Sequence, residues 1–304
     1  MNKLMKDFPI YDISTLSHIR REDILISRFA PYLETHQHLR LPHKHNFYHL
    51  LLFTRGGGTH AIDFKTFDVR PYQIYFMIPG QVHSWNFEGA TDGYVINFSP
   101  SFFRDFLLNP DYIDQFPYFS GVLENSVINL PENIQADIHR LFEAIVAEAA
   151  SENRLGPDMV KVLMLQLFIL IGRLGFDNTS ATLTPSSYSL LRNFLGLVEK
   201  NVGSLRLPRE YAELLFVTPN HLNALCNEML GKSTGEVIRD RIILEAKRLM
   251  VNLDLTIAEI AYKLNFQDNS YFSRFFKKYT GLSPEEFRHT MLEKANTGIN
   301  KYPS

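Results

Sequence analysis

From about Ile24 to Phe98 the chain runs in short stretches rich in Ile, Val, Phe and Tyr, broken at Arg55-Gly56-Gly57-Gly58, Arg70-Pro71, Pro79-Gly80 and Gly89. Side chains alternate faces along a strand, so apolar runs punctuated by turn formers every roughly 8–12 residues predict an antiparallel sandwich or barrel. Strands are expected near 24–31, 47–54, 58–64, 73–78, 82–87 and 93–98. Between Pro131 and Gly175 the apolar period lengthens. Ile134, Ile138, Leu141, Phe142, Ile145 and Val146, then Val160, Leu163, Met164, Leu167, Phe168 and Ile171, recur at three- and four-residue intervals. That spacing predicts two amphipathic helices, 132–150 and 157–174. Residues 177–187 hold few apolar side chains and end in turn formers, which marks a linker. The remainder reads as helix.

The helical part contains a repeat. Leu222, Leu225, Gly231 and Ser233 recur 50 residues on as Phe272, Phe275, Gly281 and Ser283, each set preceded by a helix holding Ala-Glu, Ala212-Glu213 and Ala258-Glu259. Each copy reads as helix, tight turn, helix: Glu210–Phe216 and Pro219–Leu230, then Ile257–Leu264 and Asn269–Tyr279. Thr218-Pro219 and Asp268 supply N-caps, and Gly231 and Gly281 stand where a helix ends in the left-handed conformation. A long helix, Gly235–Asn252, joins the copies.

Composition narrows the class. The 304 residues include 31 Lys+Arg, 33 Asp+Glu and one Cys, with 45% hydrophobic residues. This is an ordinary globular balance, enough for about two domains. A lone Cys226 excludes an intramolecular disulfide and fits a reducing compartment. The apolar stretch Val162–Gly172 is far shorter than the roughly 20 residues needed to span a bilayer, and the first residues lack the apolar core of a secretory signal. A cytoplasmic protein is expected. The charge is unevenly spread: residues 1–186 carry 15 Lys+Arg against 20 Asp+Glu, whereas 187–304 carry 16 against 13. Only the second part is suited to a polyanion.

A short helix, a turn and a second helix with a polar outer face can place side chains in a DNA major groove. In the second copy that face carries Asn269, Ser270, Ser273, Arg274 and Lys277, with Tyr271 or Phe272, Phe275 and Phe276 as core anchors. In the first copy it carries Asn220, His221, Asn223, Ala224 and Asn227. Arg pairs bidentately with guanine and Asn with adenine. Residues 187–289 resemble the double helix-turn-helix domain of the AraC/XylS family of transcription regulators. The resemblance is strongest at Ile257-Ala-Glu-Ile-Ala-Tyr-Lys-Leu-Asn-Phe266 and at Ser270-Tyr-Phe-Ser-Arg-Phe-Phe-Lys-Lys-Tyr-Thr-Gly-Leu-Ser-Pro-Glu-Glu-Phe-Arg288. It implies that Pro219–Leu230 and Asn269–Tyr279 enter successive major grooves of double-stranded DNA and that Arg241 supports the linking helix. Lys277, Lys278 and Arg288 are expected on phosphates. Departures from the family are Asn265, where a Gly is usual, and Ala224 and Cys226, where Arg and Phe are common.

Residues 36–98 resemble the cupin-like sensor domain that often accompanies this family, at Pro42-His-Lys-His-Asn-Phe-Tyr-His49, Gly58-Thr-His60, Ile62-Asp63 and Ile78-Pro-Gly-Gln-Val-His-Ser-Trp85. His43, His45, Phe47 and His49 would share a strand face that His83 could meet inside a barrel. Cupin enzymes bind a metal through such histidines, and a nitrogen-rich site here is chemically feasible. The family's sensor domains mostly bind an organic effector instead, so neither a metal nor a cofactor is expected. His43, His45, Phe47, His49, His60, His83 and Trp85 are the candidate effector residues. Tyr48, Phe64, Phe76 and Tyr94 complete an aromatic lining suited to either an aromatic acid or a sugar.

The expected architecture is therefore mixed α and β in separate domains. Residues 1–176 form a cupin-like β-barrel with two flanking helices for effector binding and dimerisation, and 177–187 a linker. Residues 188–290 form an all-α domain of two helix-turn-helix units joined by a long helix, and 291–304 a tail. Leu163, Leu167, Leu170 and Leu174 form a stripe suited to a homodimer contact or to packing on the barrel. The resemblance implies an effector-responsive regulator, more often an activator than a repressor, with RNA polymerase as a further partner and no membrane association. Two other readings stay open: a metal-dependent cupin enzyme using His43, His45, His49 and His83, and a DNA-binding dimer whose barrel takes no ligand. No phosphate loop, nucleophile elbow or zinc-protease motif is present in the sequence, and no enzymatic activity is expected.

Overall fold

A computed structural model describes residues 9–16, 23–121, 123–174, 185–251 and 254–299. They fall into two compact units, one within 9–174 and one within 185–299. The first contains, in order, β1 (Ile10–Tyr11), α1 (Ile13–Leu16), β2 (Ile24–Arg28), α2 (Phe29–Thr35), β3 (Lys44–His45), β4 (Tyr48–Ile62), β5 (Lys65–Asp68), β6 (Gln73–Met77), β7 (His83–Phe98), α3 (Leu123–Ser126), β8 (Val127–Asn129), α4 (Glu132–Ala150) and α5 (Gly156–Leu174). Pairing follows the order β2-β7-β4-β6-β8, antiparallel throughout, with β5 turned back along the far half of β4.

The sheet closes on itself. β4 and β7 pair from Tyr48↔Phe98 to Ile62↔His83. Thirteen residues separate His49 from Ile62, which is about 43 Å of flat strand at ~3.3 Å per residue. Yet the His49 ring lies 5.3 Å from that of His83, the residue opposite Ile62. The two strands therefore curl into a barrel. Register shifts at Phe53/Arg55 and Arg55/Gly57 supply the bend, because a bulge turns and twists its strand. At Gly58, with φ +94°, a Cβ would stand 2.2 Å from the Asn86 carbonyl oxygen, so only glycine fits.

Alternation along the curled strands sorts two cores. Leu50, Leu52, Ile74, Phe76, Tyr94, Ile96 and Phe98 face outward and pack against Phe142 and Ile145 of α4 and Met164 and Phe168 of α5. Leu51, Phe53, Tyr75, Met77, Trp85 and Val95 face inward with Phe29 and Tyr32 of α2. Several expectations change here. Glycines at 56–58 and at 89 punctuate continuous strands rather than separating them, so 47–54 joins 58–64 and 82–87 joins 93–98. The first strand stops at Arg28, where α2 begins. The helices at 132–150 and 157–174 form with nearly the expected bounds. Of the leucine stripe on α5, Leu167 is buried in its own core, while Leu163, Leu170 and Leu174 pack half-exposed at its edge.

The second unit contains α6 (Pro185–Lys200), α7 (Pro208–Leu214), α8 (Pro219–Leu230), α9 (Thr234–Met250), α10 (Ile257–Lys263), α11 (Asn269–Thr280) and α12 (Pro284–Ile299). Two helix-turn-helix pairs, α7–α8 and α10–α11, are joined by α9 as the repeat required. Residues 175–184, most of the expected linker, lie outside the described residues, and 185–187 already belong to α6. The boundary drawn at 290 falls inside α12. The copies also align differently from the Ala-Glu pairing. Ala212 and Ala261 occupy the same place, each carbonyl accepting from the residue after the turn, Val217 and Phe266. Glu210 and Glu259 cap their helices alike, accepting from the Leu207 and Thr256 amides at 2.7 Å.

The residue before Val217 and Phe266 has positive φ in both copies: Phe216 at +55° and Asn265 at +59°. Asn tolerates that region, whereas a bulky side chain costs about 1–2 kcal/mol. Phe216 is also 97% exposed, so its ring gains nothing from burial. Phe216→Asn is expected to raise the unfolding free energy by about 1 kcal/mol in urea titrations. A loss of stability would show that the ring makes a stabilising contact.

Candidate functional site

Five imidazoles meet inside the barrel. His43 stands just before β3 in a bridge to His83, His45 ends β3, His49 lies at the start of β4, His60 in its far half and His83 at the start of β7; all are buried. The His83 ring lies 4.1 Å from His43, 5.0 Å from His45, 5.3 Å from His49 and 5.4 Å from His60. Trp85 closes the group, edge-on to His83 at 4.9 Å, and Phe47 stacks on His45 at 4.5 Å. The seven expected effector residues are thus brought together. Tyr48, Phe76 and Tyr94 are not: they belong to the outer core, because each lies one residue out of phase with the inward positions. Phe64 is half-buried at the β4–β5 turn.

The hydrogen bonds fix which nitrogen carries the proton. A carbonyl oxygen only accepts, so His43 Nδ1–H donates to Leu41 O and His45 Nδ1–H to Phe47 O, each at 2.8 Å. His49 Nδ1–H donates to Asn97 Oδ1 at 2.7 Å, and the Asn97 amide turns its Nδ2 to the Tyr32 hydroxyl. Burial holds the rings neutral. It pushes His43 down to about 3 and His49 to about 4, and, with mutual repulsion, lowers His45, His60 and His83 well below the ordinary value. A neutral ring protonated at Nδ1 presents a bare lone pair at Nε2. The Nε2 atoms of His45 and His49 accordingly stand buried, with no hydrogen-bond partner in the protein. His60 Nε2 and His83 Nδ1 share one proton at 3.1 Å, which leaves His60 Nδ1 and His83 Nε2 unpartnered as well, together with Trp85 Nε1. Leaving such a group unpaired costs about 1–3 kcal/mol. Among the described residues, no group of three or more His, Cys, Asp or Glu is arranged to hold a metal ion.

The second unit presents the paired helices. Thr218 accepts from the His221 amide at 3.2 Å, and Asp268 accepts from the Ser270 and Tyr271 amides at 2.9 and 3.2 Å, so both second helices are capped as expected. Asn220, Asn227, Ser270, Arg274, Lys277 and Lys278 are exposed. Asn269 and Ser273 are half-buried, and the Oδ1 of Asn269 has no partner in the protein. Asn223 is engaged elsewhere: its Oδ1 accepts from the Thr234 amide at 3.0 Å and caps α9. Lys277 lies 4.0 Å from Glu286, and Lys278 rests over the Tyr279 ring. Arg288 turns inward to the Met250 and Leu255 carbonyls at 3.1 and 2.8 Å, which removes it from the phosphate-binding set. Arg241 grips Glu199 of α6 with two bonds, at 2.5 and 2.6 Å, and Glu245 with a third. His221, expected on the outer face of the first copy, is exposed there, and Tyr271, expected with Phe272 as an alternative core anchor, is exposed while Phe272 takes the core. The 50-residue offset that pairs Leu222 with Phe272 pairs His221 with Tyr271 as well.

The sequence profile of the AraC-like ligand binding domain matches residues 26–167, and that of a helix-turn-helix domain matches 211–290. The arabinose operon regulatory protein of Salmonella typhimurium is 28% identical over 79% of this chain and 83% of its own. An HTH-type transcriptional activator, RhaR of Escherichia coli, is 22% identical over 83% of this chain and 88% of its own. Among solved structures, the C-terminal domain of AraT, a response regulator from Geobacillus stearothermophilus, is 28% identical. It covers 36% of this chain and 88% of its own, with a TM-score of 0.32. No helix among the described residues is long and apolar enough to cross a membrane.

The five buried rings link stability to pH. Each takes a proton in the unfolded chain below about pH 6.5, but in the fold only at far lower pH. The unfolded state then binds more protons between those limits, so this contribution is intact above pH 6.5 and declines as the pH falls. Urea titrations between pH 6.5 and 5 are expected to lose more than one proton's worth of stability, about 1.4 kcal/mol per pH unit. His49→Gln should flatten the slope. A pH-independent stability over that range contradicts the neutral cluster.

Proposed function

The chain belongs to the AraC family of transcription regulators, DNA-binding proteins that respond to a small-molecule effector, and on that premise we propose that its effector is an uncharged, hydroxyl-rich molecule of the sugar class. One observation carries this reading: the barrel interior offers lone pairs. His45 Nε2 and His49 Nε2 accept but do not donate, and one of the two outer nitrogens of the His60–His83 pair does the same. Sugar hydroxyls supply the donors such atoms need, and Trp85 Nε1–H can serve a ring or hydroxyl oxygen. A carboxylate would meet lone pairs, and relieving that clash requires protonating imidazoles that burial keeps neutral. The aromatic acid is therefore the weaker of the two effector classes the lining first allowed. One relative is named for the arabinose operon, and arabinose is a sugar.

The regulator is proposed to act as an activator, as the relatives named RhaR are described, with RNA polymerase as partner and double-stranded DNA read by α8 and α11. Pairing across the outward face of α5, where Met159 and Val162 are exposed beside Leu163 and Leu170, supports a homodimer. A dimer would raise the local concentration of two DNA-binding units at paired sites. An effector changes DNA binding to the extent that it prefers one arrangement of the protein over another.

A thermal-shift panel of neutral monosaccharides and aromatic carboxylates on the full chain tests the effector class. At least one uncharged sugar should stabilise the protein in a concentration-dependent way, by about 2.7 kcal/mol at a hundred times its Kd, and His45→Phe, folded by circular dichroism, should lose the response. Stabilisation by carboxylates alone, or by a transition-metal ion alone, overturns the reading. On DNA, Arg274→Ala should cost about 1–3 kcal/mol at one base pair and relax specificity there, whereas Lys278→Ala should weaken all sequences alike and reduce the salt slope. Equal loss on specific and random duplexes for Arg274→Ala would remove its role as a base reader.

A further inference from the structure

Helix α9 is not the only element joining the two helix-turn-helix units. The segment between α6 and α7 also reaches across. Asn265, in the α10–α11 turn, donates from Nδ2 to the Ser204 carbonyl at 2.8 Å. The Arg206 guanidinium stacks on Phe266 at 4.4 Å. The approach is close enough that a Cβ on Gly203 would stand 2.9 Å from the Lys263 carbonyl oxygen. At the other end of α11, Arg239 of α9 stacks on Tyr279 at 4.4 Å. The second reading helix is therefore held from both ends by residues outside its own unit. The corresponding turn residue of the first unit, Phe216, points into solvent and makes no such tie.

We infer that Asn265, supported by Arg206, is a positioning residue that fixes the separation of α8 and α11 and so decides which spacing of DNA boxes the protein accepts. This rests on the reading of those helices as the DNA readers. It also explains why Asn stands where glycine is usual in the family. Glycine adopts φ +59° with less strain, but has no side-chain amide to donate. A single helix alone could flex. Two connections at separate points resist both bending and rotation of one unit against the other. DNA is sensitive to such rotation, because inserting one base pair turns the second box by about a tenth of a helical turn.

The test uses the full chain and duplexes carrying its selected two-box site, the same boxes with one base pair inserted or removed, and the second box alone. The wild-type chain should bind the natural spacing many times more tightly than either altered one. Asn265→Gly, which keeps the left-handed backbone, and Arg206→Ala should each reduce that preference severalfold, with affinity for the second box alone unchanged. Asn265→Gln, a longer amide, should behave like the glycine variant if the 2.8 Å bond depends on reach. A variant that keeps the wild-type spacing preference overturns the inference while leaving DNA reading intact. A variant that loses affinity equally for all duplexes, single box included, shows a merely structural role and overturns it too. A wild-type chain indifferent to spacing overturns the underlying reading as well.

Discussion

The curl of β4 against β7 is the constraint on which the first unit depends. Strands left flat would place His49 and His83 tens of ångströms apart. Bulges around Arg55 and the positive-φ backbone that only Gly58 can adopt there bring their rings to 5.3 Å and so create an interior. The same curl divides every strand into inward and outward residues. The outward set, Phe76, Tyr94 and Phe98 among it, can then bury itself only by recruiting α4 and α5. The inward set must house five imidazoles away from water. Burial makes them neutral, and Nδ1 donors to fixed oxygens aim their remaining lone pairs inward. The chemical character of the barrel interior is thus a consequence of a backbone bend together with three hydrogen bonds.

The second unit solves a different problem, holding two small helix pairs that could not each bury a core alone. α9 supplies the shared surface, and Arg241 binds it to α6 through Glu199 with the planar two-bond geometry that makes such pairs well defined. With the frame set by buried residues such as Leu222, Ile242, Phe272 and Phe276, the outer faces of α8 and α11 are free to carry polar residues, as the proposed DNA-reading role requires. The faces are unequal. α11 presents Arg274, Lys277 and Lys278, whereas α8 presents Asn220, Asn227 and Glu228, so the positive charge that the proposed phosphate contacts would use lies on α11.

Much of this was legible in the sequence, because helical periodicity, caps and repeats are local signals. α4, α5, α8, α9 and α11 lie close to their expected bounds, and the seven candidate effector residues meet because alternation on a strand is reliable. The misreadings share a cause. Gly56–Gly58 and Gly89 signal a turn to any local rule, and only the cross-strand partner decides that the strand continues through a bulge. Tyr48, Phe76 and Tyr94 are aromatic like Phe47 and Trp85. Membership of one core or the other follows from register, which a one-residue shift inverts. Asn223 and Arg288 stand on the helix faces expected to meet DNA, but local spacing does not reveal the partners the fold packs against them, Thr234 for Asn223 and the Met250 and Leu255 carbonyls for Arg288. The acceptor character of the barrel could not be read from composition at all, because it depends on which ring nitrogen meets a carbonyl.

If the helix pairs read DNA and the lone-pair-lined barrel takes a sugar, the two act as parts of one regulator. The most direct measurement is selection of bound duplexes from a random pool by the full-length chain, with and without a mixture of neutral sugars, followed by salt-titrated affinities for the winners. Asymmetric sites whose two boxes lie about one helical turn apart should be enriched, with an affinity that changes when the sugar mixture is present. Enrichment of nothing at any salt concentration, in either condition, would contradict the proposed DNA-reading role.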